Sequence, residues 1–300
     1  MPHILWMTVK FCGRCLLNMN TGSCDFAVIG GDMRQVYAAR MLKERGYRVC
    51  CALLCGDEGL PEQELREAVC SARVVLAPVP LSVDRLYLNQ KSGEGALPLT
   101  ELLDCLKEGQ KFYAGCISEE FAYAVSDKGA EAIDIMKQEE IAVYNTIATA
   151  EGAVAEAVMK SPRNLHGSRC LVLGYGKCAR TLTALLKGMH CQVQVCARNP
   201  AQLAEAAILA DKAFEFGELE AALPDYDFIF NTVPAMILNR RMIENMNSAV
   251  CIFDIASAPG GVEFEAAEEL GISAWLLPGL PGKYAPASSA EAIVRYLIGK

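Results

Sequence analysis

The sequence has few histidines, no long apolar run and no excess of basic residues. Its 300 residues include only His3, His166 and His190, so chemistry that needs an imidazole has few candidates. Apolar runs are interrupted by Gly, Pro or charge well before the ~18 residues that span a bilayer. Because 28 Lys and Arg face 36 Asp and Glu, the net charge of −8 disfavours nucleic acid and anionic membranes as partners. We therefore expect a soluble cytoplasmic protein.

Cysteine, by contrast, is abundant, with 14 residues. In a reducing cytosol these thiols need not form disulfides, and Cys50, Cys170 and Cys251 stand where a buried aliphatic residue would fit. Cys12 and Cys15 alone have a metal-like C-x-x-C spacing, which without a second pair is weak evidence for zinc, and we expect no metal. They belong to a leader of uncertain order, residues 1–22, in which Met19 is an alternative start.

From Asp25 onward, short apolar runs alternate with longer helical patterns, which is typical of β-α units and parallel sheets. The predicted strands fall into two successive groups: 26–30, 49–54, 74–79, 111–116 and 132–136, then 169–173, 192–196, 227–231, 250–254 and 274–277. An Ala-rich helical pattern at 146–159 separates the groups, and a last helix is predicted at 287–298.

The pattern predicts an α/β fold with two Rossmann-like doubly wound parallel-sheet domains joined by the bridging helix. We expect the substrate-side domain at 23–145 and the cofactor domain at 146–285. The C-terminal helix, 286–300, is expected to return to the first domain. Ligands would then bind in the cleft at the carboxyl ends of both sets of strands.

A G-x-G-x-x-A motif follows the strand predicted at 169–173 and opens a helix, which is the context of a dinucleotide-binding loop. The first glycine permits a tight turn, the second lets the backbone approach a pyrophosphate, and the helix start offers free N–H groups. The alternative is a glycine turn without function. The candidate cofactor-binding residues of this segment are Gly174, Tyr175, Gly176, Lys177 and Cys178.

The next strand does not end in the acid that usually binds the ribose hydroxyls of NAD. It ends in Arg198 and Asn199, and a cation there suits a 2′-phosphate, so we expect NADP rather than NAD. The alternative is a solvated arginine at a strand end. Two later strand ends add candidate cofactor contacts, namely Thr232, Val233, Pro234 and Asp254, although Asp254 is equally suited to capping the following turn.

The first domain also has a strand-to-helix turn, around Gly30 and Gly31, but it lacks the spaced third glycine. Asp32 would repel a pyrophosphate there and suits a helix cap. Arg34 could instead face the cleft and bind a substrate carboxylate as a bidentate fork, or it could be an ordinary surface residue. We include both Asp32 and Arg34 among the candidate substrate-binding residues.

Several segments in order resemble the dipicolinate synthase A-subunit family from about residue 25 to the end. They are 30–35 (GGDMRQ), 144–152 (YNTIATAEG), 174–176 (GYG), 231–234 (NTVP), 257–261 (SAPGG), 277–282 (LPGLPG) and 285–286 (AP). The resemblance implies a sporulation enzyme of the mother-cell cytoplasm. Such an enzyme makes pyridine-2,6-dicarboxylate from a dihydrodipicolinate-level intermediate of lysine biosynthesis, using NAD(P) and a flavoprotein-like B subunit.

Joined to this resemblance, the residues suggest a mechanism in which a dicarboxylate lies between the domains. Its carboxylates would bind Arg34 and Lys283, near Ser118, Thr146 and Thr149 at junctions expected to face the cleft. Hydride would pass to the nicotinamide while a proton leaves to a carboxylate or to water.

Glu151 is the candidate catalytic carboxylate, and the alternative is an exposed or helix-capping glutamate. No histidine stands where a nicotinamide would lie. Because aromatisation drives the oxidation of a dihydropyridine ring, that reaction demands less of a base than alcohol oxidation does.

Two other functions stay open at this point. One is an NADP-dependent 2-hydroxy- or amino-acid dehydrogenase, which the missing histidine disfavours. The other is a noncatalytic NADP-binding subunit of a partner enzyme. In each case we expect a small-molecule ligand and an oligomer.

Overall fold

The computed structural model describes residues 24–54, 59–91 and 95–299. These residues form two parallel β-sheets with helices on both faces, as the alternating pattern predicts. The predicted leader, with Cys12 and Cys15, lies outside the described residues. No helix within the described ranges has the length and apolar character needed to cross a membrane.

The first sheet has five strands in the spatial order β2-β1-β3-β4-β5. Because the direction of strand addition reverses between β1 and β3, a crevice opens at their carboxyl ends. The strands are β1 (Cys24–Ile29), β2 (Val49–Ala52), β3 (Ala72–Leu76), β4 (Lys111–Ala114) and β5 (Glu131–Asp134).

Helices α1 (Met33–Glu44), α2 (Leu65–Ser71), α3 (Leu99–Cys105) and α4 (Glu119–Asp127) alternate with these strands. One face of the sheet packs on α2, α3 and α4 through residues such as Leu102, Phe112 and Val125. The other face packs on α1. This helix begins with a capping box, in which the Asp32 carboxylate accepts a hydrogen bond from a backbone N–H of the first turn and the Gln35 side chain accepts one from the Asp32 N–H.

The bridging helix is longer than its Ala-rich pattern predicts. Helix α5 (Glu139–Lys160) begins with two glutamates whose charge suits a helix N-terminus. After the second sheet come α11 (Leu280–Tyr284) and α12 (Pro286–Ile298). Helix α12 buries Ile293 and Val294 in the core shared with α1, so the chain end returns to the first sheet.

The second sheet has six strands in the order β11-β10-β9-β6-β7-β8, with its crevice between β6 and β9. The strands are β6 (Arg169–Leu173), β7 (Gln192–Cys196), β8 (Lys212–Phe214), β9 (Phe228–Asn231), β10 (Cys251–Asp254) and β11 (Ser273–Leu276). The helices between these strands are α6 (Lys177–Gly188), α7 (Pro200–Ala206), α8 (Leu219–Ala222), α9 (Arg240–Glu244) and α10 (Phe264–Glu269).

Two details differ from the sequence predictions. Strand β8 was not predicted, since three residues at a sheet edge are too few to show a periodic pattern. Cys50, expected to be a free buried thiol, forms a disulfide with Cys24. Cys170 and Cys251 are free and buried, as expected.

Candidate functional site

The glycine loop lies at the crevice of the second sheet. Gly174 follows β6 with a φ of 88°, a conformation that favours glycine. A Cβ on Gly174 would lie 2.7 Å from Thr232 Oγ1 and 2.9 Å from Val233 Cγ2, so the end of β9 packs directly on the loop. Thr232 also donates to the Leu173 carbonyl at 2.7 Å. The motif therefore needs glycine here for packing as well as for the turn.

Helix α6 begins at this loop without a side-chain cap. Gly176 is its N-cap residue, and no side chain accepts from the first turn. A Cβ built on Gly176 would meet nothing within 4 Å, so the space before the helix is open. Free N–H groups, a positive helix end and open space are what a pyrophosphate requires, and these residues fit an NAD(P) cofactor.

The other candidate side chains of this loop have partners in the protein. Lys177 forms an ion pair with Glu139 of α5. The buried Tyr175 ring lies 5.8 Å from the Arg180 guanidinium carbon. Burial raises the pKa of the Cys178 thiol, although a hydrogen bond with Thr149 opposes that shift. The Lys177 and Cys178 contacts join α5 to the start of α6, so the backbone rather than these side chains offers the free anion-binding groups.

Arg198 stands at the carboxyl end of β7, exposed and with no ion-pair or hydrogen-bond partner among the described residues. Asn199 uses its side-chain oxygen to cap α7, accepting from Ala201 N at 2.8 Å. Its amide nitrogen is left as a donor. The strand end thus presents a free cation where the sequence predicts the adenosine ribose.

Asp254 is fully buried at the end of β10, and its carboxylate serves the adjacent turn. One oxygen accepts from Asn231 Nδ2 at 2.9 Å and from Ala256 N at 3.0 Å, while the other accepts from Gly261 N at 2.7 Å. This arrangement corresponds to the turn-capping alternative rather than to a ribose contact. Pro234 directly follows the Asn231-to-Val233 turn that this network holds.

Arg34 is nearly buried, 7% exposed, at the crevice of the first sheet. Its Nε and Nη2 donate to Asp32 at 2.9 and 2.8 Å, and Nη2 also donates to the Val79 carbonyl. Nη1 has no partner among the described residues. A guanidinium fixed on one edge with its other nitrogen free is suited to bind a carboxylate.

Asp32 holds this arginine as well as capping α1. Burial by itself would raise the pKa of the Asp32 carboxyl, but hydrogen bonds and charge from Arg34 outweigh it, and the pKa lies below its ordinary value. An ionised carboxylate repels the carboxylates of a substrate, so direct substrate binding is not the role that this contact supports. Asp32 is a positioning residue for Arg34.

The carboxyl end of β4 adds Cys116, which the sequence analysis did not select. Cys116 has a φ of 55° and is exposed as a whole residue. Partial enclosure of its thiol and the nearby Asp134 charge raise the thiol pKa, and the positive charge of Arg34 opposes that rise. Asp134 accepts from the backbone N–H groups of Cys116 and Ile117, each at 3.1 Å. A strand end beside a glycine-containing turn is a signal that could have identified this position.

A contact from the second half of the chain closes this site. A Cβ on Gly282 would lie 2.6 Å from Asp32 Oδ2 and 2.9 Å from Arg34 Nε, so α11 packs against the ion pair. The next residue, Lys283, pairs with the buried Glu156 of α5, which also accepts from the Tyr284 hydroxyl at 2.6 Å. Lys283, predicted to bind substrate, is thus already engaged, and Glu156 was missed because its partner lies 127 residues away.

The remaining candidates lie apart from one another. Thr146 is buried between helices, with its hydroxyl 2.7 Å from that of Thr181 on α6. Thr149 donates to the Asn145 carbonyl at 2.9 Å. Ser118 caps α4. Glu151 is exposed on the outer side of α5, whereas the neighbouring Gly152 is buried against Leu280 and Tyr284. Glu151 makes no hydrogen bond or ion pair with Arg34 among the described residues.

Both described histidines lie at the opposite edge of the second sheet. His166 precedes β6 and His190 precedes β7, with ring centroids 5.4 Å apart. Because parallel strands share one direction, the amino edge of the sheet is remote from the glycine loop. His3 lies outside the described residues.

Two family models match successive parts of the chain. Residues 25–136 match the N-terminal domain of the dipicolinate synthase A subunit, and residues 135–259 match the NAD-binding domain of D-isomer specific 2-hydroxyacid dehydrogenases. The dipicolinate synthase A subunit of Bacillus subtilis (strain 168) is 28% identical over 284 residues, which are 90% of this chain and 93% of that protein.

Solved structures agree with these matches. The dipicolinate synthase A chain from Bacillus subtilis superposes with a TM-score of 0.80 at 28% identity, covering 94% of this chain and 96% of that one. The corresponding protein from Bacillus halodurans gives a TM-score of 0.83 at 25% identity, covering 94% and 98%. The resemblance expected from the sequence motifs is confirmed in sequence and in fold.

Proposed function

We propose that this chain, which matches dipicolinate synthase A subunits in sequence and fold along some 90% of its length, oxidises a dihydrodipicolinate-level substrate to pyridine-2,6-dicarboxylate with NADP. The substrate is the dihydro compound or its hydroxylated tetrahydro precursor. The observation that carries this proposal is the match of residues 25–136 to a domain described for dipicolinate synthase, because an NAD-binding domain alone fits many dehydrogenases.

Arg34 is the proposed carboxylate-binding residue. Asp32 and the Val79 carbonyl hold one edge of its guanidinium, which leaves Nη1 for a substrate carboxylate. The site lies at the crevice between β1 and β3, where doubly wound sheets bind ligands. Gly282 brings the second half of the chain against the same ion pair, so a dicarboxylate bound here would lie between the two sheets.

The glycine loop and the start of α6 would hold the cofactor, which would supply the hydride acceptor for the ring. The dihydro ring must also lose a proton, and the hydroxylated tetrahydro precursor must first lose water to reach the dihydro level. Formation of the aromatic product drives the reaction. We propose water as the proton acceptor, because Glu151 is exposed and makes no hydrogen bond with Arg34 among the described residues, and because the lowered pKa of Asp32 makes that carboxylate a weak base. Arg34 orients the ring and its positive charge keeps the carboxylate ionised.

We further propose that the partner is a B subunit of flavoprotein-like character and that the enzyme acts in the mother-cell cytoplasm of a sporulating bacterium. The Bacillus subtilis relative is one subunit of its synthase, which supports a multi-subunit enzyme here. A 2-hydroxyacid dehydrogenase is the second candidate, since the model for that NAD-binding domain matches residues 135–259.

The test is an absorbance assay on the purified full-length chain with freshly generated lysine-pathway intermediate and NADP, with and without the B subunit. We expect NADPH and pyridine-2,6-dicarboxylate to form in equal amounts. Arg34→Ala should raise the substrate KM at least about tenfold, corresponding to about 1.4 kcal/mol, while Arg241→Ala, an exposed control, should not.

Reduction of simple 2-oxo acids by NADPH in place of this reaction would support the 2-hydroxyacid dehydrogenase. NADP binding without turnover, even with the B subunit present, would indicate a noncatalytic role.

A further inference from the structure

The ion pair at Arg34 carries too little positive charge by itself for a ligand with two carboxylates. Asp32 accepts from Arg34 Nε and Nη2 at 2.9 and 2.8 Å, so the two opposite charges cancel. Lys283, the other predicted carboxylate ligand, pairs with the buried Glu156 instead. A dianion bound to Arg34 would thus leave its second carboxylate without a cation. A further cation is therefore expected near the ion pair.

A segment that follows β3, residues 80–91, runs beside the start of α1 and is fixed there by hydrogen bonds. Gly31 N donates to the Asn89 carbonyl at 2.8 Å, and Gly31 and Gln90 form an isolated parallel bridge. The Asn89 side-chain nitrogen donates to the Pro80 carbonyl at 3.1 Å. The end of the segment therefore lies directly alongside the turn that leads into α1.

Lys91 is the last residue of this segment. It is exposed and has no ion-pair or hydrogen-bond partner among the described residues. Burial opposes ionisation of the Asp32 carboxyl, but hydrogen bonds and charge from Arg34, together with the charge of Lys91, hold its pKa below the ordinary value. This interaction and the backbone contacts of the segment place the Lys91 ammonium near the ion pair. Two cations and one carboxylate then leave a net positive charge at the site.

The two cations have complementary properties. The Arg34 guanidinium is nearly buried and fixed, whereas the Asp32 side chain is 27% exposed, so a ligand can reach the ion pair beside this carboxylate. Lys91 offsets the repulsion that Asp32 exerts on an incoming anion. Its ammonium is a compact charge on a flexible four-carbon stem, which can adjust to a carboxylate that Arg34 does not hold. The arrangement suits a flat ring with two carboxylates.

We infer that Lys91 binds the second carboxylate of the ligand whose first carboxylate binds Arg34. This assignment rests on the proposed function, which supplies a substrate with two carboxylates. It makes Lys91 a specificity-determining residue, because a ligand with one carboxylate needs Arg34 alone and a ligand with two needs both cations.

The test is isothermal titration calorimetry of the full-length chain with saturating NADP, in metal-free buffer. The probes are pyridine-2,6-dicarboxylate and pyridine-2-carboxylate, which share the ring and differ by one carboxylate. Lys91→Met should raise the dissociation constant of the dicarboxylate at least about tenfold and that of the monocarboxylate less than about twofold. Lys91→Arg keeps the charge and should bring dicarboxylate binding back to within about threefold of the wild type.

Lys111→Met is the matched control, because Lys111 is an exposed lysine that begins β4 at the opposite edge of the same sheet. It removes the same charge from the molecule, so a general electrostatic effect would appear in both variants. Arg34→Ala should weaken the binding of both probes, which separates the first carboxylate from the second. Circular dichroism reports that each variant is folded.

The possible results separate this assignment from the proposed function. Dicarboxylate binding that is unchanged in folded Lys91→Met, or an equal loss for both probes, would overturn the role of Lys91 and leave the proposed function standing. A wild type that shows the expected binding pattern but forms no NADPH from the substrate would support Lys91 and refute the proposed reaction. A wild type that binds neither probe would contradict both.

Discussion

At the scale of single residues, the two candidate anion-binding arginines differ in burial and in how firmly the protein fixes them. Arg34 is buried and fixed by Asp32 and the Val79 carbonyl, so little side-chain entropy is lost when it binds a carboxylate. Arg198 is exposed and unpaired within the described residues, which leaves its whole guanidinium for the proposed contact with a 2′-phosphate. We expect the first arrangement to select a ligand by the geometry of its carboxylate and the second to select a phosphate by its charge.

Arg198→Glu should shift cofactor preference from NADP toward NAD, because a carboxylate repels the 2′-phosphate and can accept from a ribose hydroxyl. We expect the ratio of kcat/KM for NADP to that for NAD to fall at least about tenfold. A charged hydrogen bond contributes ~1.5–3 kcal/mol, and its loss accounts for a change of at least this size. Arg241→Glu, also at an exposed arginine, is the control. An unchanged ratio would refute the role of Arg198.

Glu151→Gln should retain turnover within about twofold, because the proposed proton acceptor is water and general-base catalysis by a side chain contributes ~10²–10⁴-fold. The measurement is kcat for NADPH formation between about pH 4 and pH 8, a range that includes the ordinary pKa of a glutamate. A loss of about a hundredfold or more, together with loss of an acidic limb of the pH profile, would identify Glu151 as the acceptor instead.

At the scale of elements, helix α5 connects the two sheets and packs against helices that follow it in the chain. Its buried side meets α6 through the Thr146–Thr181 hydroxyl pair and meets α11 through Glu156. Helix α11 in turn packs Gly282 against Arg34, so the position of α11 affects the surroundings of the proposed carboxylate-binding residue. Glu156 is therefore a structural link between the bridging helix and the arginine.

Glu156→Gln should lower the free energy of unfolding by about 1–3 kcal/mol at pH 7, because it removes a charged acceptor from Lys283 and Tyr284. Burial raises the pKa of Glu156, but hydrogen bonds from Lys283 and Tyr284 outweigh it, and the pKa is lowered from 4.5. The carboxylate thus stabilises the fold above the unfolded-state pKa and loses this effect as pH falls through the folded-state pKa.

Urea unfolding of the wild type and the variant at pH 7 and at decreasing pH measures this difference. The gap between the two proteins should narrow once the pH falls below about 4.5, the ordinary pKa of a glutamate. Glu268→Gln, at an exposed glutamate of α10, is the control. A gap that persists unchanged in acid would mean that Glu156 stabilises the fold through packing alone.

At the scale of the whole molecule, a net charge of −8 is compatible with anionic ligands because the cations and N–H groups are local. The open start of α6 and Arg198 lie at the second sheet, and Arg34 lies at the first. At physiological salt, screening limits the range over which exposed charges elsewhere on the surface interact to about 8–10 Å. Remote acidic residues therefore weaken anion binding little.

The two-sheet arrangement also explains why the scarcity of histidine matters. Both described histidines lie at the amino edge of the second sheet, so neither can serve the carboxyl edge where the glycine loop lies. The proposed oxidation of a dihydropyridine ring does not need an imidazole base, whereas oxidation of an alcohol commonly uses one.

The sequence by itself determined the parallel α/β architecture, the glycine loop, and the positions of Arg34 at the start of α1 and of Arg198 after β7. Those features follow from local patterns: an apolar run makes a buried strand, glycine makes the turn, and the next helix begins there. The strand boundaries differ from the predicted ones by a few residues, apart from the short edge strand β8.

Only the tertiary structure decided which side chains are free to bind ligands. The rotation of α5 turns Gly152 inward and Glu151 outward, and the packing of α11 on α5 pairs Lys283 with Glu156. The turn after β10 likewise uses both oxygens of the Asp254 carboxylate. These outcomes depend on contacts between residues far apart in the chain, and local sequence patterns carry no record of such contacts.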